Sequence, residues 1–235
     1  MDGIPAASPE PGGNRRLTAF LDDADAGAAI GDPIRAVVWD GGGVLIRTID
    51  PGPRRAWEAR LGLDPAGLEP LMFRNEVAQQ AAVGRGGWDD VWAWVGAHFG
   101  LIDSDRAALA QDFFSGDRLD QELIEFVRAL RPRLRTGLLT NAFRSARQEI
   151  THRWKIADAF DAIIVSAEEG VIKPDPRIYR VALQRLAVAP EETLFIDDVE
   201  DNVAGAQSVG MQALRFESAA QAMEEVGRRT GIGRP

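Results

Sequence analysis

The sequence contains no cysteine among its 235 residues, which removes disulfides, thiol nucleophiles and thiolate metal sites. Histidine occurs only twice, as His98 and His152. A multi-histidine metal centre is therefore not expected, and any metal site would be built from carboxylates and other oxygens, a donor set that suits magnesium. Positive charge is in deficit, with 27 Lys+Arg against 36 Asp+Glu and a net charge of −9. That argues against nonspecific nucleic-acid binding, which rests on basic patches. It leaves room for a small anionic substrate, because a bound cation can reverse the local sign. No apolar run reaches the length of a membrane span, and no basic stretch followed by an apolar core opens the chain. A cytoplasmic location and no membrane partner are the expectation. Internal repeats and coiled-coil heptads are also lacking, and oligomeric state is not legible.

The apolar fraction is 45%, ordinary for a globular chain, and the length allows one or two domains. Residues 1–32 begin with a stretch rich in Pro, Gly, Ala and Ser, and are expected to be a disordered tail with at most a helical turn at 17–21. The most informative run follows: Ile34-Arg35-Ala36-Val37-Val38-Trp39-Asp40-Gly41-Gly42-Gly43-Val44-Leu45. A short β-branched apolar stretch reads as a buried strand. It ends in a single acid, and three glycines then allow a tight turn. Ligands of open parallel α/β sheets bind beyond the carboxyl ends of the strands, where Asp40 would sit.

Between residues 48 and 130 the pattern is helical, with helices expected at 56–61, 68–82, 89–99, 105–114 and 120–130, and no convincing strand. Strands return at 136–141, 162–166, 193–198 and 212–216, separated by helical patterns at 146–154, 178–186 and 202–209. Alternation of this kind predicts an α/β fold with a doubly wound parallel, Rossmann-like sheet and helices on both faces. The first strand precedes the helical stretch and the others follow it. The expected division is thus a discontinuous core, 33–47 and 131–235, with an all-helical cap at 48–130.

Four elements stand at or just after strand ends: Asp40; Thr140-Asn141; Lys173 within Gly170-Val171-Ile172-Lys173-Pro174-Asp175-Pro176; and Asp197-Asp198, followed by Asp201-Asn202. Singly, each has an ordinary explanation as a helix cap, a solvated turn or acids serving a helix N-terminus. Their order along the chain, each at a strand end, makes coincidence a poor account. The pattern resembles the haloacid dehalogenase-like hydrolase superfamily. Asp40-Gly41-Gly42-Gly43-Val44, Leu138-Leu139-Thr140-Asn141, Val171-Ile172-Lys173-Pro174-Asp175-Pro176 and Leu194-Phe195-Ile196-Asp197-Asp198 look like its four motifs in order. The stretch 48–130 resembles the family's cap by position and helical character alone.

The resemblance implies a magnesium-dependent phosphatase acting on a small phosphorylated metabolite. Asp40 would attack phosphorus and form an aspartyl-phosphate. Magnesium would be held by the Asp40 carboxylate, the Gly42 carbonyl and Asp198, with Asp197 and Asn202 as supporting groups. Lys173 would steady the nucleophile and the incoming charge, and the Thr140 hydroxyl and Asn141 N–H would bind phosphate oxygens. One departure matters: most phosphatases of the family carry a second aspartate two residues after the nucleophile, as proton donor and later base, and here that position is Gly42. This predicts a substrate with a good leaving group, such as an acyl, aryl or anomeric phosphate, or a replacement acid from the insertion, for which Asp50, Glu76, Asp89 and Glu168 are candidates. A 2-haloacid dehalogenase using Asp40 and a non-catalytic phosphate-binding module remain as alternatives. A phosphomutase, which must shuttle protons on sugar hydroxyls, would miss the second aspartate more.

Elsewhere, Trp88, Trp92 and Trp94 are expected in the core of the cap and at its interface with the sheet. Arg85 could reach over the site as an anion clamp, and Gly84-Arg85-Gly86-Gly87 lacks the Lys-Ser/Thr of a nucleotide loop. His98 and His152 are expected at a helix end and on a helix surface, away from any motif.

Overall fold

Alternating apolar side chains on one short strand organise the molecule. The computed structural model describes residues 33–232, so the expected tail at 1–32 lies outside the described residues. In β1 (Ala36–Trp39), Val37 and Trp39 face one hydrophobic cluster, while Ala36 and Val38 face another on the opposite side of the sheet. A parallel sheet buried on both faces requires this continuous apolar run. β1 is flanked by β4 (Arg135–Thr140) and β6 (Thr193–Asp197), and these by β5 (Ala162–Val165) and β7 (Gln212–Arg215). The order is β5-β4-β1-β6-β7, all parallel. Connections run outward from β1 in both directions, so the switch point lies at the carboxyl end of β1, where a crevice forms.

The glycines after Asp40 turn the chain into β2 (Ile46–Thr48), which pairs antiparallel with β3 (Asp117–Leu119). Between them lie α1 (Gly52–Leu61), α2 (Leu68–Arg74), α3 (Glu76–Ala82), α4 (Trp88–Phe99) and α5 (Asp103–Phe113). β3 departs from the expectation of no strand at 48–130; at three residues, Asp-Arg-Leu, it carries no periodic signal and exists because β2 gives it a partner. The helix expected at 68–82 is two helices. Asn75 breaks it in extended conformation, and its side chain accepts a hydrogen bond from Ala78 N–H as the cap of α3. α1–α5 pack around their own cluster, which includes Trp57, Met72, Val91, Leu109 and Phe113. Gly116 sits so close to the backbone of Asp50 that a Cβ there would lie 1.9 Å from the Asp50 carbonyl oxygen, and the two crossing segments need a glycine to meet.

α6 (Gln121–Leu130) falls within the helical stretch 48–130 expected from sequence, yet its face of Leu123, Ile124, Val127 and Leu130 lies in the same cluster as Val37 and Trp39 of the sheet. α7 (Ala146–Gln148) runs on into a π-helical turn, Glu149–Arg153. Next come α8 (Ser166–Glu169), α9 (Pro176–Leu186), α10 (Glu200–Gln207) and α11 (Ala219–Thr230). α6 and α11 cover one face of the sheet and α9 the other. No helix among the described residues is long and apolar enough to cross a membrane.

Candidate active site

Strand register brings the acids together. Trp39 is opposite Ile196, so the next residues, Asp40 and Asp197, are neighbours across β1 and β6. Trp39 is also opposite Leu138, which sets Thr140 at the same end of the sheet. The loop after α8 then carries Lys173 underneath. Its ammonium lies 2.7 Å from Asp40 Oδ1 and 2.6 Å from Asp197 Oδ2, and its side chain is 1% exposed. Two features hold Lys173 there. The Asn141 side chain accepts from Lys173 N–H at 2.8 Å and donates to the Lys173 carbonyl at 2.9 Å, a role not anticipated from sequence. α10 also approaches the loop so closely that a Cβ at Gly205 would fall 2.7 Å from the Pro174 carbonyl oxygen.

Asp197 is fully buried, and both of its oxygens are engaged, by Lys173 Nζ, Asn202 Nδ2 and Val199 N–H. A carboxylate so occupied is a fixed brace. Asp198, the next residue, faces the glycine turn: a Cβ on Gly43, whose φ is +84°, would come within 2.4 Å of Asp198 Oδ2. Gly43 thus serves twice, supplying a left-handed backbone and leaving room for a carboxylate. Gly41 N–H donates to Asp40 Oδ1 at 2.6 Å.

One ammonium cannot balance three acids. Burial raises the Asp40 carboxyl, Lys173 opposes it, Asp197 adds to it, and the balance stands at about 7. Burial alone would lower Lys173, but Asp40 and Asp197 outweigh it and hold the ammonium above the ordinary lysine value. Asp198 is held above the usual carboxylate range by burial and then by the Asp197 charge, with Glu69 of α2 acting in the same sense. Asp40, Asp197 and Asp198 each offer an oxygen within 4.8 Å of the others. Among the described residues no hydrogen bond is donated to the Gly42 carbonyl. Surplus negative charge, hard oxygen donors and an open carbonyl fit a divalent cation such as magnesium.

Removing Lys173 exposes the imbalance. Lys173→Met is expected to cost about 3–5 kcal/mol of folding stability, because it strands two buried carboxylates without their cation. In chelator, the folded variant must keep a proton that an unfolded aspartate releases above pH ~4. Its stability should therefore fall as pH rises from about 4 to 8, more steeply than wild type's. Denaturant melts across that range check both; a cost below ~1 kcal/mol would contradict it.

Asp40, Gly42, Thr140, Asn141, Lys173, Asp198 and Asn202 all line one cavity of about 670 Å³ at the carboxyl end of the sheet. Asp50, Glu76, Asp89 and Glu168, the candidate replacement acids, do not line it. Asp50 caps Gly52 N–H, Glu168 is held by Arg147, and Glu76 and Asp89 sit in the first turns of α3 and α4. Arg85 also lies away from the cavity, bonded to Gln80. The acids that do reach it from outside the motifs are Glu69, Asp117 and Glu149, and each is paired with an arginine or its neighbours. Arg54, Phe73 and Phe114 complete the wall from the insertion. Nothing local in the sequence marks them, since they converge only when α1, α2 and α5 pack. Trp88 lines the cavity and packs on Phe143 of the core at 4.5 Å between ring centroids.

The family model for haloacid dehalogenase-like hydrolases matches residues 34–210, from β1 through α10. This chain belongs to that family. It is similar to a sesquiterpene phosphatase of Aspergillus oryzae, 31% identical over 196 residues that cover 81% of this chain and 94% of the relative. It is similar also to a phosphatase of Mycobacterium tuberculosis, 28% identical over 83% of this chain and 93% of that protein. Among solved structures, a haloacid dehalogenase-like enzyme of Bacteroides thetaiotaomicron in complex with magnesium and inorganic phosphate superposes with a TM-score of 0.64. It is 22% identical, over 78% of this chain and 94% of that one. That likeness shows a shared fold: a five-stranded parallel sheet with a helical insertion after its first strand. In this haloacid dehalogenase-like hydrolase a glycine, Gly42, follows Asp40 by two residues.

Proposed function

We propose that this hydrolase is a magnesium-dependent phosphatase that cleaves a small phosphorylated substrate through an aspartyl-phosphate on Asp40. The observation that carries the reading is the cluster of Asp40, Asp197 and Asp198 around a single buried lysine, at the mouth of a cavity. A dehalogenase has no need of the third carboxylate, whereas a cation facing a phosphate does. The relatives named as phosphatases, and the neighbour that binds magnesium and phosphate, support the same choice.

Magnesium, held by the Asp40 carboxylate, the Gly42 carbonyl and Asp198, would draw charge from the phosphoryl oxygens and bring nucleophile and phosphate together. Asp40 attacks phosphorus; a bond forms from its carboxylate oxygen and the ester P–O bond breaks, so the esterified group leaves as its anion and takes its proton from water. The Thr140 hydroxyl and the Asn141 N–H bind the equatorial oxygens. Lys173 keeps Asp40 aligned and offsets charge as the phosphoryl group arrives. Water then attacks phosphorus, which frees phosphate and restores the carboxylate. Asp197 and Asn202 act at one remove, by fixing Lys173 and the turn that presents Asp198. We assign the helices α1–α5 to a cap over this site, with 33–47 and the sheet after it as the core.

Phosphate release from p-nitrophenyl phosphate and acetyl phosphate, with magnesium and with chelator, tests this reading. Activity that vanishes in chelator is the expected result. Halide release from chloroacetate without any phosphate release would overturn it. Magnesium at a hundred times its dissociation constant should also stabilise the fold by about 2.7 kcal/mol at pH 8, and Asp198→Asn should abolish that gain.

A further inference from the structure

Beyond the phosphate-binding residues, the cavity is more apolar than a sugar or amino-acid phosphate would need. Phe143 follows Asn141 by two residues, so an aromatic wall begins where the phosphate site ends. Trp88 packs on it, and Phe114 meets the Trp88 ring edge-on at 5.0 Å between centroids. The π-helical turn and the residue after it bring Ile150 and Trp154 to the same cavity. Such turns recur at functional sites because they shift side chains out of helical register. Phe73 and Val199, 41% and 46% exposed, are large apolar residues left uncovered, and both line this cavity. Uncovered apolar surface next to a polar anchor marks a place where a ligand is to be buried.

The charged groups on the wall point the same way. Arg54 is bonded to Glu69 at 2.8 Å and Asp117 at 2.9 Å and lies over the Phe113 ring. Arg47 is paired with Asp120, and Arg153 faces Glu149. Each cation of the wall other than Lys173 thus already has a carboxylate, and a second anionic group on the substrate would find no uncommitted partner among the described residues.

We infer that the substrate is a phosphomonoester whose esterified group is a bulky hydrocarbon, aromatic or extended, without a second charge. This rests on the phosphatase reading for its chemistry, and on the wall of Trp88, Phe143, Phe114 and Phe73 for its selectivity. Phenyl phosphate and 1-naphthyl phosphate have closely similar leaving groups and differ mainly in apolar area, so their ratio reads the wall and not the chemistry. The kcat/KM for 1-naphthyl phosphate should exceed that for phenyl phosphate by about tenfold, mostly through KM. Trp88→Ala should bring the ratio toward one. Phe73→Ser, at a half-exposed position whose ring also meets Trp88 and Phe113, should lower it in the same direction, with a thermal melt showing that the variant is folded. Equal kcat/KM for the two esters, or a ratio that neither variant changes, overturns the inference and leaves the phosphatase reading standing. If neither ester is hydrolysed and acetyl phosphate is not either, the phosphatase reading fails by itself. Calorimetric titration of Asp40→Asn with both esters in magnesium then decides: about tenfold tighter binding of the naphthyl ester supports the inference, and equal binding overturns it.

Discussion

Asp40→Asn is expected to reduce phosphate release from p-nitrophenyl phosphate by ~10⁴-fold or more, the loss usual when a covalent nucleophile is removed. The amide has nearly the same shape as the acid and can still meet Lys173 and the Gly41 N–H, which lie 2.7 and 2.6 Å from Asp40 Oδ1. It cannot attack phosphorus. The protein should remain folded, because Lys173 keeps Asp197 as a partner. Stability gives a second, independent readout. The Asp40 pKa is raised to about 7 in the fold, so ionising it costs the folded state as pH climbs from about 4 through 7. In chelator the variant should therefore match or exceed wild type in stability above pH 7, with the difference shrinking toward pH 4. Residual activity within tenfold of wild type would remove Asp40 from the reaction.

Gly42→Asp should act in the opposite direction. A Cβ built on Gly42 meets no atom within 4 Å, so the position has room for a side chain beside the nucleophile. A carboxyl group there can protonate a departing alkoxide and later accept a proton from water, help typically worth ~10²–10⁴-fold. The gain should be concentrated on esters with poor leaving groups. Turnover of an alkyl phosphate should rise by ~100-fold or more, while acetyl phosphate, whose leaving group needs no proton, changes little. The acids that reach the cavity from outside the motifs, Glu69, Asp117 and Glu149, are already paired, which is why the wild type should favour good leaving groups. Alkyl and acyl phosphates turned over equally well by wild type would show that another group supplies the proton.

The sheet and the end of the sheet were legible in the sequence because their signals are local. Val37-Val38-Trp39 and Leu194-Phe195-Ile196 are continuous apolar runs that stop at acids, and strand geometry places those acids in one crevice. β3 was not legible, since three polar-edged residues become a strand only when β2 lies alongside. Nor was the place of α6, whose periodicity reveals an apolar face without saying which cluster will receive it. Asn75 ended a helix that propensity alone would have continued, because its side chain caps the next one. In the site, residue types announced Asp40, Lys173 and Asp198. The two hydrogen bonds that make Asn141 a clamp on Lys173 join residues far apart in sequence, as do the contacts that bring Arg54, Phe73 and Phe114 to the wall. Long-range packing decides such pairs, and composition carries no trace of them.

The short antiparallel ladder of β2 and β3 also bears on how the molecule could vary. It sets Thr48 directly opposite Asp117, and the Thr48 hydroxyl donates to Asp117 Oδ1 at 2.7 Å. The chain from 49 to 116 thus leaves and returns through two directly paired residues. Chain inserted between fixed, adjacent ends adds closure entropy only logarithmically with its length. That segment can therefore be lengthened, shortened or exchanged for another with little disturbance to the strands beneath, so new selectivities can be grafted onto an unaltered reaction centre.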